Sequence, residues 1–76
     1  MSTEKAAQVR AVIADVVGFE PDEVQNADRF TVDYNIGYGE RKILLERLNA
    51  TFGRELDFNA FCALDDVGSV VAHYAG

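Results

Sequence analysis

Apolar residues recur along this chain at steps of three and four, in separate runs divided by polar stretches. Val9, Val12, Ile13, Val16 and Val17 fall at i, i+3, i+4, i+7 and i+8, one stripe along a helix. A first helix is expected over residues 4–17, with Ser2 or Thr3 as its cap. Gly18 suits the left-handed position after its end, and Phe19 is placed to pack back on the last turn. Valine is a mediocre helix former, so this helix has to be held by packing. Leu44, Leu45, Leu48 and Phe52 make a second stripe, with Ile36 and Ile43 nearby, on a helix from about Tyr38 or Glu40 to Phe52. Gly53 is its stop. Asp57 can cap a short third helix that holds Phe58, Phe61 and Cys62. Asp65 or Asp66 can cap a last helix, on which Val67, Val70, Val71 and Tyr74 keep the helical spacing.

Residues 18–37 form a long connection between the first two helices. Pro21, Asp22 and Glu23 predict a turn or a short helical start. Val24, Ala27 and Phe30 are spaced to anchor the segment on the core. A connection of about 20 residues is unusual in a compact domain unless it is anchored or functional. The expected fold is all-α, one domain over residues 1–76: a four-helix bundle of three longer helices and one short one, with a long first loop. The apolar period is close to 3.6, which excludes an all-β reading.

Composition narrows the class without naming a function. At 76 residues the chain buries only roughly 60% of its unfolded surface, so its core is small. A hydrophobic share of 49% and a charged share of 26% fit an ordinary globule and argue against disorder. The longest apolar runs are far too short to span a membrane. Met1-Ser-Thr-Glu-Lys5 has no basic region followed by an apolar run, so no secretion signal is expected. Net charge is -6, from 13 acidic and 7 basic residues. That disfavours nucleic acid, whose phosphates need clustered Lys and Arg. The lone Cys62 cannot form an internal disulfide and suits a reducing cytoplasm. A cytoplasmic monomer is the expectation.

The chemistry-bearing residues do not assemble into a reaction. No basic residue lies near Cys62 in sequence to activate its thiol, and it reads as a small buried core residue. His73 reads as a last-turn residue favoured by the helix dipole. Asp65-Asp66 reads as capping rather than paired catalytic carboxylates. Gly37-Tyr38-Gly39 lacks the lysine of a phosphate loop and the spacing of a dinucleotide site. There is no nucleophile–base pair and no metal cluster, so neither a catalytic nor a metal site is expected, and the chain is not read as an enzyme.

Taken in order, the apolar and turn positions resemble those of an acyl carrier protein over about residues 9–74. Val17-Gly18-Phe19 is similar to the family's apolar-Gly-apolar exit from the first helix. Glu23-Val24 resembles its acidic-Val step, and Phe30 and Asp33 sit where the family has the Phe and Asp leading to its Asp-Ser-Leu motif. Leu44, Leu48 and Phe52 fall on second-helix core positions. Glu55-Leu56 matches the acidic-Ile pair after that helix. Leu64-Asp65-Asp66-Val67 resembles the opening of the last helix, which Tyr74 closes.

The departures fall at the motif. Asp-Ser-Leu corresponds here to Gly37-Tyr38-Gly39, and the family's Gly two residues after Asp33 is Asn35. The serine of that motif carries phosphopantetheine in the family, and a phenol is not equivalent to its aliphatic hydroxyl. Ser2 and Ser69 have no such motif around them. The resemblance therefore implies an acyl-carrier-like bundle that lacks the attachment serine, with phosphopantetheine and any other cofactor absent. It would act by protein contact with biosynthetic enzymes of fatty-acid, polyketide or nonribosomal-peptide type, that is, of an acyl or peptidyl assembly pathway. The alternative is a carrier that holds its substrate covalently through an unusual residue such as Tyr38. The second helix is usually the family's acidic docking face. Here residues 38–52 hold Arg41, Lys42 and Arg47 against Glu40 and Glu46, a net +1. Tyr38, Arg41, Lys42 and Arg47 are the expected partner contacts, with Tyr34 and Ile36 on the approaching loop.

Overall fold

The computed structural model describes residues 3–76. Its helices are α1 (Thr3–Val17), α2 (Tyr38–Phe52), α3 (Phe58–Cys62) and α4 (Val67–Ala75), with one 3-10 turn at Pro21–Glu23. Ser2, one of the two expected caps of α1, lies outside the described residues. Thr3, the other, lies inside the helix as its first residue. Among the described residues there is no strand, only a single antiparallel bridge between Arg29 and Asp66. The chain is thus small and all-α, as the periodicity predicts.

The expected stops of α1 and α2 and the expected caps of α3 and α4 are in place. Gly18 has φ +82° and Gly53 φ +63°, the left-handed values that glycine adopts without penalty. Asp57 Oδ1 accepts from the Ala60 N–H at 2.7 Å and opens α3. Of the two candidates at α4, Asp66 is the cap: it accepts from the Ser69 N–H at 3.3 Å and from Ser69 Oγ at 2.6 Å.

α1 packs against both α4 and α2, and α3 packs against α2. Val9 and Ile13 of α1, Leu44 and Leu48 of α2, Phe61, and Val67, Val70, Val71 and Tyr74 of α4 are fully buried. Ala6 and Ala14 add to the buried face of α1, while Val12, Val16 and Val17 are partly buried against the same core. Asn49 ties three elements at one end of α2. Its amide bonds Leu56 in both directions, and its oxygen accepts from Tyr74 Oη at 2.7 Å.

Three residues near the core face outward, each for a local reason. Ile43 is 52% exposed, because a step of one residue from Leu44 turns it about 100° away from the Leu44–Leu45–Leu48 stripe. Cys62 is exposed, since Phe61 at the preceding position takes the inward place on a helix of only five residues. Phe19 does not fold fully onto α1. It stays 43% exposed and meets Tyr34 edge-on, ring centroids 5.2 Å apart.

The long connection is ordered because its backbone is paired. Val24 and Phe30 are buried anchors, as expected, but Ala27 is exposed. In its place the main chain holds the segment to the start of α4. The Val67 N–H donates to the Asp28 carbonyl and the Gly68 N–H to the Asn26 carbonyl, both at 2.9 Å. In return the Phe30 N–H donates to the Asp65 carbonyl at 2.9 Å. A connection of this length survives because these polar groups find partners inside the fold.

Candidate functional site

The loop delivers the chain to α2 through Ile36 and Gly37. Asn35, just before them, has φ +52°. Asparagine is among the few non-glycine residues that tolerate this conformation. Gly37 is the N-cap of α2 with extended φ/ψ of −94° and −172°, and has no side chain with which to cap. The first turn gains only a 3.3 Å bond from the Gly37 N–H to Glu40 Oε1. A Cβ at Gly37 or Gly39 would meet nothing within 4 Å, so the backbone there is open on its outer side.

Tyr38, the first residue of α2, projects from this opening and is 68% exposed. Its ring leans on Phe58 of α3, centroids 4.7 Å apart at 51°. Phe58 stands on the short third helix that the spacing predicts. It is half-buried and also serves as the floor under Tyr38. Lys42, one turn further along α2, is exposed and has no carboxylate partner among the described residues.

The other expected contacts are placed differently. Arg41 is not a surface charge: it is buried, with Nη2 donating to Asp65 Oδ1 at 3.3 Å and the guanidinium carbon 5.6 Å from the centroid of Phe30. The reason is phase. Arg41 lies three, four and seven residues before Leu44, Leu45 and Leu48, in the middle of the inward stripe. Ile36 is buried too, at 8% exposure, and serves the core. Arg47 is partly exposed, but its guanidinium is paired with Asp15 of α1. Of the three cations read as a positive face, Lys42 alone remains unpaired, so the net charge of +1 does not describe what α2 presents to solvent.

Tyr34 is half-buried rather than free. Its ring packs on Phe19 and Phe30, and Oη donates to Asp28 Oδ2 at 2.7 Å. Burial first, and then the bond to the Asp28 carboxylate, push the Tyr34 phenol well above its ordinary pKa. The same bond, together with the Gln25 N–H, holds the Asp28 carboxyl below the usual carboxylate value. Desolvation raises the Tyr74 phenol as well. Tyr38 is thus the one tyrosine with an open, largely exposed ring.

The remaining candidates do not converge on it. Ser69 Oγ is occupied by Asp66. His73 meets the Tyr74 ring edge-on at 4.9 Å in the last turn of α4. Among the described residues no group of three His, Cys, Asp or Glu could hold a metal ion, and no cavity opens beside Tyr38. Among the described residues no helix is long and apolar enough to cross a membrane. Asp65 matters more than a capping reading allows, since it accepts from Arg41 and from Thr31 Oγ1. The signal that could have found it is the same helical phase that buries Arg41, because a buried guanidinium requires an anion.

Compared with known protein families and curated proteins, the chain matches no family model and no curated sequence.

Proposed function

We propose that this chain is an acyl-carrier-like bundle without a phosphopantetheine arm, acting through protein contact beside enzymes of an acyl or peptidyl assembly pathway. One observation carries the reading: the first residue of α2, where the resembling family has its modified serine, is a tyrosine that is 68% exposed. The positive φ of Asn35 supports it, because the corresponding family position is glycine. The contact surface is Tyr38 with Phe58 beneath it and Lys42 one turn away. An exposed aromatic ring at such a place serves as an anchor that a partner can bury. No acid–base or nucleophilic set accompanies it, so the proposed role is non-catalytic.

The exposed phenol also supports a second reading, in which Tyr38 itself holds a substrate covalently. The two differ in the mass of the protein isolated from its native host.

Modification chemistry tests the primary reading. Incubation with a phosphopantetheinyl transferase and coenzyme A is expected to add no mass. Tyr38→Ser alone is expected to restore modification poorly, because Gly37 and Gly39 leave the acidic and leucine positions empty. Adding Gly37→Asp and Gly39→Leu is expected to improve it. Gain of one phosphopantetheine by the unaltered chain would refute the proposal.

A further inference from the structure

The start of α2 has little local support. Its N-cap is a glycine, its second residue is a glycine, and its cap bond to Glu40 is 3.3 Å long. Yet a charged side chain of the same turn reaches inward. The Arg41 side chain is 9% exposed, against 42% for Asp65. Nη2 reaches Asp65, and Nη1 is buried without an acceptor.

Asp65 gathers the surrounding segments. Oδ1 accepts from Arg41 of α2, Oδ2 from Thr31 Oγ1 at 3.0 Å, and the backbone carbonyl from the Phe30 N–H at 2.9 Å. The residue after it, Asp66, caps α4 and bridges to Arg29. Phe30, whose ring lies against the Arg41 guanidinium, is fully buried.

We propose that Asp65 is the positioning residue of the Tyr38 surface: by holding Arg41 it sets the first turn of α2 and couples that turn to residues 26–36 and the start of α4. The functional consequence rests on the contact reading of Tyr38. A partner pressing on Tyr38 would be felt at Phe30 through the Arg41 guanidinium and at the α4 cap through its pair with Asp65.

The two partners are not equivalent, and this makes the proposal sharp. Removing Asp65 leaves a desolvated guanidinium with neither amino group satisfied. Removing Arg41 leaves a carboxylate that is already partly in water and keeps its bond from Thr31. Breaking a buried pair is costly chiefly through the charge left behind. Asp65→Ala must therefore disturb α2 more than Arg41→Met does. Arg41→Met placed on Asp65→Ala must repair the damage.

Amide hydrogen exchange across these variants tests it, read beside Val71→Ala, a core variant that destabilises without touching the pair. The probes are the protected amides of residues 41–44, beginning with the Arg41 N–H that donates to the Gly37 carbonyl at 3.0 Å. In Asp65→Ala these amides are expected to exchange about tenfold faster than in Val71→Ala at matched global stability, with the Phe30 amide following them. The Ile13 amide in α1 should be alike in both. The double variant should return residues 41–44 to within about threefold of the unaltered chain. If Asp65→Ala unfolds too readily, Asp65→Asn, which keeps one acceptor oxygen, should give the same order with smaller changes. Uniform acceleration over all helices, or a double variant no slower than Asp65→Ala, overturns the proposal. No partner protein enters the experiment, so its failure leaves the contact reading of Tyr38 standing.

Discussion

α2 and α4 begin with the same local pattern, a large residue and then glycine: Tyr38-Gly39-Glu40 and Val67-Gly68-Ser69. They are built in opposite ways. At α4 an aspartate caps the helix, Val67 is fully buried, and the loop backbone lies so close that a Cβ on Gly68 would meet the Asn26 carbonyl oxygen at 3.1 Å. At α2 the cap is a bare glycine, Tyr38 is exposed, and a Cβ on Gly39 would meet nothing. Glycine serves close approach in one place and leaves open space in the other. One helix start is a joint of the fold. The other is held mainly from a distance, by Arg41 and Asp65, and leaves its outer side free.

The largest expected effect lies at the joint. Phe30→Ala removes the loop's buried ring and should cost about 3–5 kcal/mol, read from urea unfolding. A loss below about 1 kcal/mol would mean that the backbone bonds to α4 hold the loop without it. Next come the caps. Asp66→Ala should cost about 1 kcal/mol, whereas Gly37→Ser should gain only a few tenths by supplying α2 with a side chain that can cap. Equal and opposite changes would erase the contrast between the two starts.

The paired glycines give a difference of sign. Gly39→Ala should stabilise by up to about 1 kcal/mol, the ordinary advantage of alanine in a helix. Gly68→Ala should lose that advantage and destabilise, because the Asn26 backbone has to move aside. Stabilisation by both would show that the approach at α4 is loose.

The smallest effect is the pH dependence of the loop beside the α4 joint. The folded-state pKa of Asp28 is lowered, chiefly by the Tyr34 hydroxyl. Its contribution is present above the ordinary carboxylate value of 3.8 and is lost as pH falls through the lower folded value. Tyr34 and Tyr74 are raised, chiefly by burial, so their contributions are complete below the ordinary 10.0 and fade as pH rises through their folded values. Tyr34→Phe should flatten the acid limb and leave only the Tyr74 part of the alkaline limb, seen as unfolding midpoints against pH. An unchanged acid limb would remove Asp28 from this account.

The sequence carried the helices well because their evidence is periodic. Val9 and Ile13, Leu44 and Leu48, and Val70, Val71 and Tyr74 are buried as their spacing predicts. Gly18, Gly53, Asp57 and Asp66 stand where stop and cap chemistry put them. The loop was legible at the Pro21–Glu23 turn and at Val24 and Phe30, but not between them, because the bonds that fix it are made by main-chain groups that no residue type announces. Arg41 was legible in phase but concealed by its charge. Its position three residues before Leu44 points inward, while a guanidinium is usually read as a surface group. The exposure of Tyr38 follows from its place as the first residue of a helix that opens on a bare glycine. The floor that Phe58 gives it depends on how α3 meets α2, which local spacing does not encode.

The central claim is that Tyr38 presents a bare ring where the resembling family presents a loaded arm. Intact-mass measurement of the protein from its native host, followed by peptide mapping, tests this directly. The account predicts the mass of the unmodified chain and an unaltered peptide spanning residues 33–42. An added mass on that peptide, above all on Tyr38, would contradict it and make the chain a covalent carrier.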